Sequence, residues 1–431
     1  MHILFDVSRL IGRAALSAPT GIDRVDYAYA RHLADHARNV SFVVGRSFPR
    51  IIPGREAGFL RRRQRSAQDE AGAHDDPQAR RLFELLSQPP AAWPSSRGAQ
   101  RLQAPPQTTF PFVARLSARM KQSGGATPLP RQLKGAVYLH TSHSGLENPK
   151  GIDKLKARGA KVVVLVHDLI PIDYPEYCRP DEDVAHEARM RNVQERADLI
   201  LANSAYTQSR LAAWAQRRAL ALPPVRVTPL GVEPLYLAPP PPARAARPYF
   251  VTVGTIEPRK NHVLLLTLWR RLAEEMGDDC PALVVVGRRG WEMEAVADLL
   301  ERCPALARHV IEVDGLGDAG LAALMAGASG ILQPSHVEGF SLPVAEALAM
   351  DAPLVASDIP AHREMVTSSS KLADPLDGPR WLALIKALIA ARPQAGPAVR
   401  RPIGQEQHVD AALKAIAQLS ARRSVATPDA A

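Results

Sequence analysis

No apolar run in this 431-residue chain approaches the ~18–20 residues that cross a bilayer as a helix, which argues against a membrane-spanning protein. The opening, Met1-His2-Ile3-Leu4-Phe5-Asp6-Val7, lacks the basic and longer apolar stretches of a signal peptide and reads as a strand. Cysteine is scarce. Cys178, Cys280 and Cys303 show no C-x-x-C spacing, so a disulfide framework or structural zinc site is not expected. They read as small buried or neutral thiols. No G-x-G-x-x-G follows a candidate strand, which argues against a dinucleotide-dependent oxidoreductase. The expected compartment is the cytoplasm.

What is present fits a soluble globular protein, with 46% hydrophobic and 23% charged residues. The length suggests two domains with an insertion. The net charge of +10 is unevenly placed. Residues 50–131 hold 14 Lys/Arg against 6 Asp/Glu, so this stretch supplies most of the excess. It reads either as a solvated insert or as a surface for an anionic partner, such as a phosphorylated acceptor or the lipid of the inner membrane face. No nucleic-acid-binding motif accompanies the charge. The Pro-Pro and Gly-Gly pairs within it predict at most short helices.

Elsewhere short apolar runs alternate with helical periodicity, which predicts α/β layers with parallel sheets. Strands are expected at 3–7, 40–44, 137–140, 162–166 and 199–202, with helices at 23–37, 181–197 and 205–217. A Pro/Ala/Arg run from 237 to 248 reads as a linker. The alternation then restarts, with strands at 249–254, 282–286, 310–313, 330–332 and 354–356. Helices are expected at 260–276, 291–301, 320–328 and 341–350, and a last one at about 405–422. The expected domains are 1–240, acceptor-side with the insert at about 50–131; 241–400, nucleotide-sugar-binding; and a C-terminal helix and tail over 401–431. In such sheets ligands bind beyond the carboxyl ends of the strands.

The stretch Glu338-Gly339-Phe340-Ser341-Leu342-Pro343-Val344-Ala345-Glu346 places two carboxylates eight residues apart across an expected helix start. Unpaired N–H groups there favour an anion, while carboxylates accept sugar hydroxyls. Gly254-Thr255-Ile256-Glu257-Pro258-Arg259-Lys260-Asn261 sets an Arg-Lys pair in a strand-to-helix turn, a chemistry suited to a diphosphate.

Together these two segments resemble the retaining glycosyltransferases of family 4, and the resemblance spans most of the chain outside 50–131. It implies an α/β, GT-B fold: two Rossmann-like doubly wound domains facing across a cleft. Arg259 and Lys260 would hold the donor diphosphate, and Glu338 would contact hydroxyls of the transferred sugar. Gly254 and the amides of Gly339, Phe340, Ser341 and Leu342 would meet the donor, and Glu346 would take the ribose hydroxyls. His167, in Val166-His167-Asp168, is similar to the family's His beside the donor sugar. Gly21 and Arg24 stand where the family has a Gly loop near the donor phosphate, although Arg24 reads equally as a helix-surface residue. Pro229-Leu230-Gly231-Val232-Glu233 resembles the family's element at the domain junction.

The implied activity is retaining, metal-independent transfer of a hexosyl unit, with GDP-mannose as first guess, to a polysaccharide or lipid-linked glycan. No cofactor beyond the nucleotide-sugar is expected, and a front-face attack in which the donor phosphate takes the acceptor proton would require no enzyme nucleophile. His-Asp-Leu-Ile-Pro is similar to bacterial mannosyltransferases of this family. The alternative is a catalytically silent GT-B partner that binds nucleotide or glycan, and the presence of Glu338 and Lys260 weighs against it. His140 and His143 read as structural, since no further ligand stands at metal spacing. Asp181-Glu182-Asp183 starts a helix, where acidic residues suit the dipole, and Asn203-Ser204 reads as a cap.

Overall fold

In the computed structural model, residues 1–13, 20–36, 39–52, 76–103, 127–366, 371–390 and 402–421 are described. The first sheet uses β1 (His2–Asp6), β2 (Val40–Val44), β3 (Arg50–Ile51), β5 (Thr127–Pro128), β6 (Ala136–His140), β7 (Lys161–Val166), β8 (Leu199–Ala202) and β9 (Val225–Val227). Its order is β5-β3-β2-β1-β6-β7-β8-β9. Pairs involving β3 are antiparallel, and the others are parallel. The second sheet is parallel throughout. It uses β4 (Gln100–Leu102), β10 (Tyr249–Val253), β11 (Ala282–Val286), β12 (Val310–Val313), β13 (Gly330–Gln333), β14 (Leu354–Ser357) and β15 (Leu372–Ala373), in the order β15-β14-β13-β10-β11-β12-β4.

The strand sequences explain this. Runs such as Lys161–Val166 and Ala282–Val286 are β-branched and buried almost end to end, as expected of parallel strands covered on both faces. The covering helices are amphipathic. In the helix Gly21–His36, Val25, Tyr29 and Leu33 recur every four residues and are all buried. In the helix His262–Met276, Leu265, Trp269 and Leu272 recur at spacings of four and three and are buried beneath the second sheet. The helix Gln405–Ala421 crosses back to the first half. There His408 stands edge-on to Tyr29 with centroids 5.3 Å apart, and Lys161 Nζ donates to the Leu419 carbonyl at 2.9 Å.

The two switch points fix where loops converge. In the first sheet β1 lies between β2 and β6; in the second β10 lies between β11 and β13. Crevices at the carboxyl ends of such strands are the ligand positions of doubly wound sheets.

One expectation is corrected. Residues 76–103, read from sequence as part of an insert with at most short helices, form the helix Pro77–Leu86 and strand β4. That strand pairs with β12, with Ile311↔Gln100 and Val313↔Leu102, so it belongs to the second sheet and not to the first half. The sequence concealed it because a three-residue strand carries no readable alternation. The cluster Arg61-Arg62-Arg63-Gln64-Arg65 lies outside the described residues. No helix among the described residues is long and apolar enough to cross a membrane.

Candidate active site

A cleft of about 690 Å³ opens between the two sheets, within the range of small-molecule sites. At its floor the switch point between β10 and β13 brings together residues some 80 positions apart. The loop after β10 contributes Arg259 and Lys260, and the loop after β13 contributes Glu338. Arg259 Nη1 lies 2.5 Å from Glu338 Oε2, and Lys260 Nζ lies 2.6 Å from Oε1. Arg259 also reaches Glu257 at 2.6 Å and the Val337 carbonyl at 3.1 Å. The buried Glu338 carboxyl is pushed up by burial, but the charges of Arg259 and Lys260 outweigh this and hold it well below its ordinary range. Asn261, at φ 56°, secures the loop by donating to the carbonyls of Pro334 and Pro375 at 3.2 and 2.9 Å. Its role is a local signal that sequence reasoning passed over, since Asn tolerates this left-handed conformation.

Glu338 is therefore not free to face a sugar while Arg259 and Lys260 face phosphate. All three share one ion-pair network. The carboxylate neutralises part of the charge that a diphosphate would otherwise meet.

Across the cleft, His167 follows β7 and is buried. Its Nε2 lies 2.7 Å from the Thr141 carbonyl, and its backbone N donates to His143 Nε2 at 3.0 Å. Burial keeps the ring neutral by lowering its affinity for a proton. With Nε2 donating to a carbonyl, Nδ1 is left as the acceptor. Asp168 caps the next turn, accepting from Ile170 N at 3.1 Å.

The two halves meet backbone to backbone at Gly339. A Cβ there would lie 2.2 Å from the His167 carbonyl oxygen, so no larger residue fits. The Gly339 carbonyl accepts from Ser204 Oγ at 2.6 Å. Ser204 also caps the helix Ala205–Gln216 through Thr207 N at 2.9 Å. It is thus both the cap that the sequence suggests and a contact across the cleft. Gly254 lies against the alkyl chain of Lys260, whose Cε would sit 3.1 Å from a Cβ. Phe340 is buried, and Ser341, at φ 83°, stands just before the helix Leu342–Ala349.

Two candidates are placed differently from expectation. Glu346 lies on the buried face of that helix with no exposed surface, and its Oε1 is 2.7 Å from Arg24 Nη1. It does not line the cleft in this structure. Arg24, on the helix that starts at Gly21, lines the cleft but turns its guanidinium onto Glu346 and Glu233, the latter at 3.0 Å. It also lies over the Tyr236 ring at 5.7 Å. The sequence could not show this pairing, because 322 positions separate the partners. Asp23 anchors the loop before it, accepting from Arg9 at 2.7 Å and Arg13 at 3.0 Å.

The outer wall of the cleft is the turn 314–318 after β12. Asp314 Oδ1 is buried there without a hydrogen-bond partner, and burial raises the carboxyl pKa. Arg288 and Arg179 line the same cleft, Arg179 over the Trp291 ring at 5.0 Å. Among the described residues, no group of three or more His, Cys, Asp or Glu converges as a metal site. His140 contacts Tyr138 Oη at 3.2 Å, and His143 receives the His167 amide.

Residues 239–390 match the family model for glycosyl transferases group 1. The chain is 30% identical over 245 residues to the serotype-specific mannosyltransferase WbdA of Escherichia coli, covering 52% of this chain and 29% of that protein. It is also 30% identical over 235 residues to O-antigen chain mannosyltransferase B of E. coli, covering 52% of this chain and 60% of that one. The chain thus spans under two thirds of the length of these relatives. Among solved structures, sucrose-phosphate synthase from Thermosynechococcus elongatus aligns over 99% of this chain and 100% of its own, at TM-score 0.59 and 17% identity. Anabaena HepE in complex with UDP aligns over 99% and 100%, at TM-score 0.54 and 16% identity. These likenesses show the GT-B fold.

Proposed function

From a chain whose residues 239–390 fall in the glycosyl transferases group 1 family, on a GT-B fold, we propose a retaining, metal-independent glycosyltransferase. Its donor is GDP-mannose, and its acceptor is a polysaccharide or a lipid-linked glycan. The observation that carries this reading is the Arg259–Lys260–Glu338 network at the second switch point, facing His167 across the cleft. An incoming diphosphate takes over the two cations, which then stabilise the charge that grows on it as the glycosidic bond breaks. Glu338, released from them, accepts hydroxyls of the sugar being moved. His167 walls the sugar on the opposite side.

Two further observations support the donor. The mannosyltransferases share about half of this chain. Asp314 lines the outer cleft, and a carboxylate accepts the paired N–H groups of guanine.

A thermal-shift panel of UDP-, GDP- and TDP-sugars tests the donor, since a ligand that binds only the native state raises its stability. GDP-mannose should give the largest rise; a larger rise with a UDP-sugar overturns the guanine reading. Transfer in EDTA should proceed at an unchanged rate, and a strict divalent requirement would defeat metal independence. Lys260→Ala should weaken nucleoside-diphosphate binding far more than nucleoside binding.

A further inference from the structure

Residues 76–103 precede most of the first sheet in sequence, yet their backbone completes the second sheet. They also hold the cleft wall that stands away from Arg259. Outward from β10 come β11 and then β12. The turn after β12 is therefore two strands, roughly 10 Å, from the Arg259–Lys260 loop. In the donor reading given above, a diphosphate held at that loop has its nucleoside along the strand ends at this turn.

The inserted segment supplies several hydrogen bonds to this turn. Asp314 N donates to the Leu102 carbonyl at 3.1 Å. Gln78, only 2% exposed, donates through Nε2 to the Leu102 carbonyl at 2.8 Å and to the Asp314 carbonyl at 3.0 Å. Asp76 Oδ2 accepts from Gly317 N at 2.7 Å, while its Oδ1 accepts from Gln78 N at 2.8 Å and Ala79 N at 3.3 Å. One carboxylate thus sits at the N-termini of two helices, Pro77–Leu86 and Asp318–Ala326, where both dipoles favour it. The fit is close: a Cβ on Gly317 would lie 2.9 Å from Asp76 Oδ2, and one on Gly320 would lie 2.8 Å from Ala79 Cβ. The turn itself passes through Gly315 at φ 73°, a conformation that needs external support to stay unique.

We propose that Asp76 and Gln78 are positioning residues for the donor. They fix the backbone of the turn 314–318, so that a segment from the first half of the chain sets nucleoside affinity in the second. The inference rests on the donor reading given above, in which the nucleoside lies against this turn.

Two readouts on the full-length protein test it. The first is hydrogen exchange without ligand. In Gln78→Met, which keeps length but removes the donor, amides of residues 315–321 should exchange at least ten-fold faster while those of β10 and β11 are unchanged. Unchanged exchange at 315–321 overturns the brace. The second is calorimetry with GDP and with inorganic pyrophosphate. GDP affinity should fall roughly ten-fold, the scale of removing one buried hydrogen bond, with pyrophosphate affinity unchanged. Equal losses for both ligands, or none for GDP, overturn the positioning role. Asp76→Asn is the milder variant should Gln78→Met fold poorly, and it should show the same selectivity at about three-fold. If wild-type protein binds pyrophosphate but shows no preference for GDP over UDP, the guanine reading fails while hydrogen exchange still decides the brace.

Discussion

Glu338 pairs with two cations at once, and that arrangement makes its removal informative in two opposite directions. Glu338→Gln leaves Lys260 without its carboxylate in a buried setting, which destabilises the free protein. A nucleoside diphosphate restores the missing negative charge, so the thermal shift it causes should be larger in the variant than in wild type. Transfer should nevertheless fall by about 10²-fold or more, because the carboxylate proposed to accept the sugar hydroxyls is gone. A smaller shift alongside intact transfer would contradict both roles. The same pairing has a pH signature. Glu338 releases its proton more readily in the folded state than at its ordinary value of 4.5. Its contribution to stability is therefore complete above about pH 4.5 and is lost as pH falls below that, toward its folded value. The motif residues were legible in the sequence because loop and spacing define them. Their mutual pairing was not, since charge partners nearly 80 positions apart carry no local signal.

Among the elements, the long ones were readable and the short ones were not. Strands such as Lys161–Val166 and helices such as His262–Met276 carry enough apolar period to announce themselves to within a residue or two. Strand β4, at three residues in a Pro- and Arg-rich stretch, has none, and its partner fixes it rather than its composition. Which face of the helix Leu342–Ala349 is buried was also hidden, because the whole segment is apolar apart from Glu346. The returning helix Gln405–Ala421 yields a separate prediction. The His408 imidazole is buried against Tyr29, and burial lowers its pKa to about 4. The unfolded chain binds this proton near pH 6.5, so stability falls as pH drops from about 6.5 to about 4. The loss attributable to His408 is at most about 3 kcal/mol. Denaturant titrations should show a shallower pH slope across that window in His408→Phe; an unchanged slope would count against a buried neutral imidazole.

For the whole molecule, polar contacts among the described residues reach across the cleft beside the apolar ones. Arg24 reaches Glu346, Ser204 reaches Gly339, and Glu364 accepts from Ala205 N at 3.0 Å and Tyr206 N at 2.5 Å. The first of these contains a fully buried carboxylate. Arg24→Ala strands that charge and should cost about 3–5 kcal/mol in chemical denaturation. Arg24→Met combined with Glu346→Gln should recover part of it, because the fully buried charge is gone while the half-buried Glu233 still loses its partner. Additive losses in the double variant would show that the pair does not interact. This closure was not legible in the sequence, because it depends on how the two halves of the chain meet.

Strand β4 also changes what counts as a module in this protein. A fragment starting at the linker would leave β12 as an open edge with unpaired backbone donors and acceptors, the kind of edge that recruits other chains. It would also lose the carboxylate that caps the helix Asp318–Ala326. Exchanging the second half for that of a relative would therefore require residues 76–103 to travel with it, although more than 130 residues of chain separate them from the linker. The heritable unit of the second sheet is discontinuous in the gene.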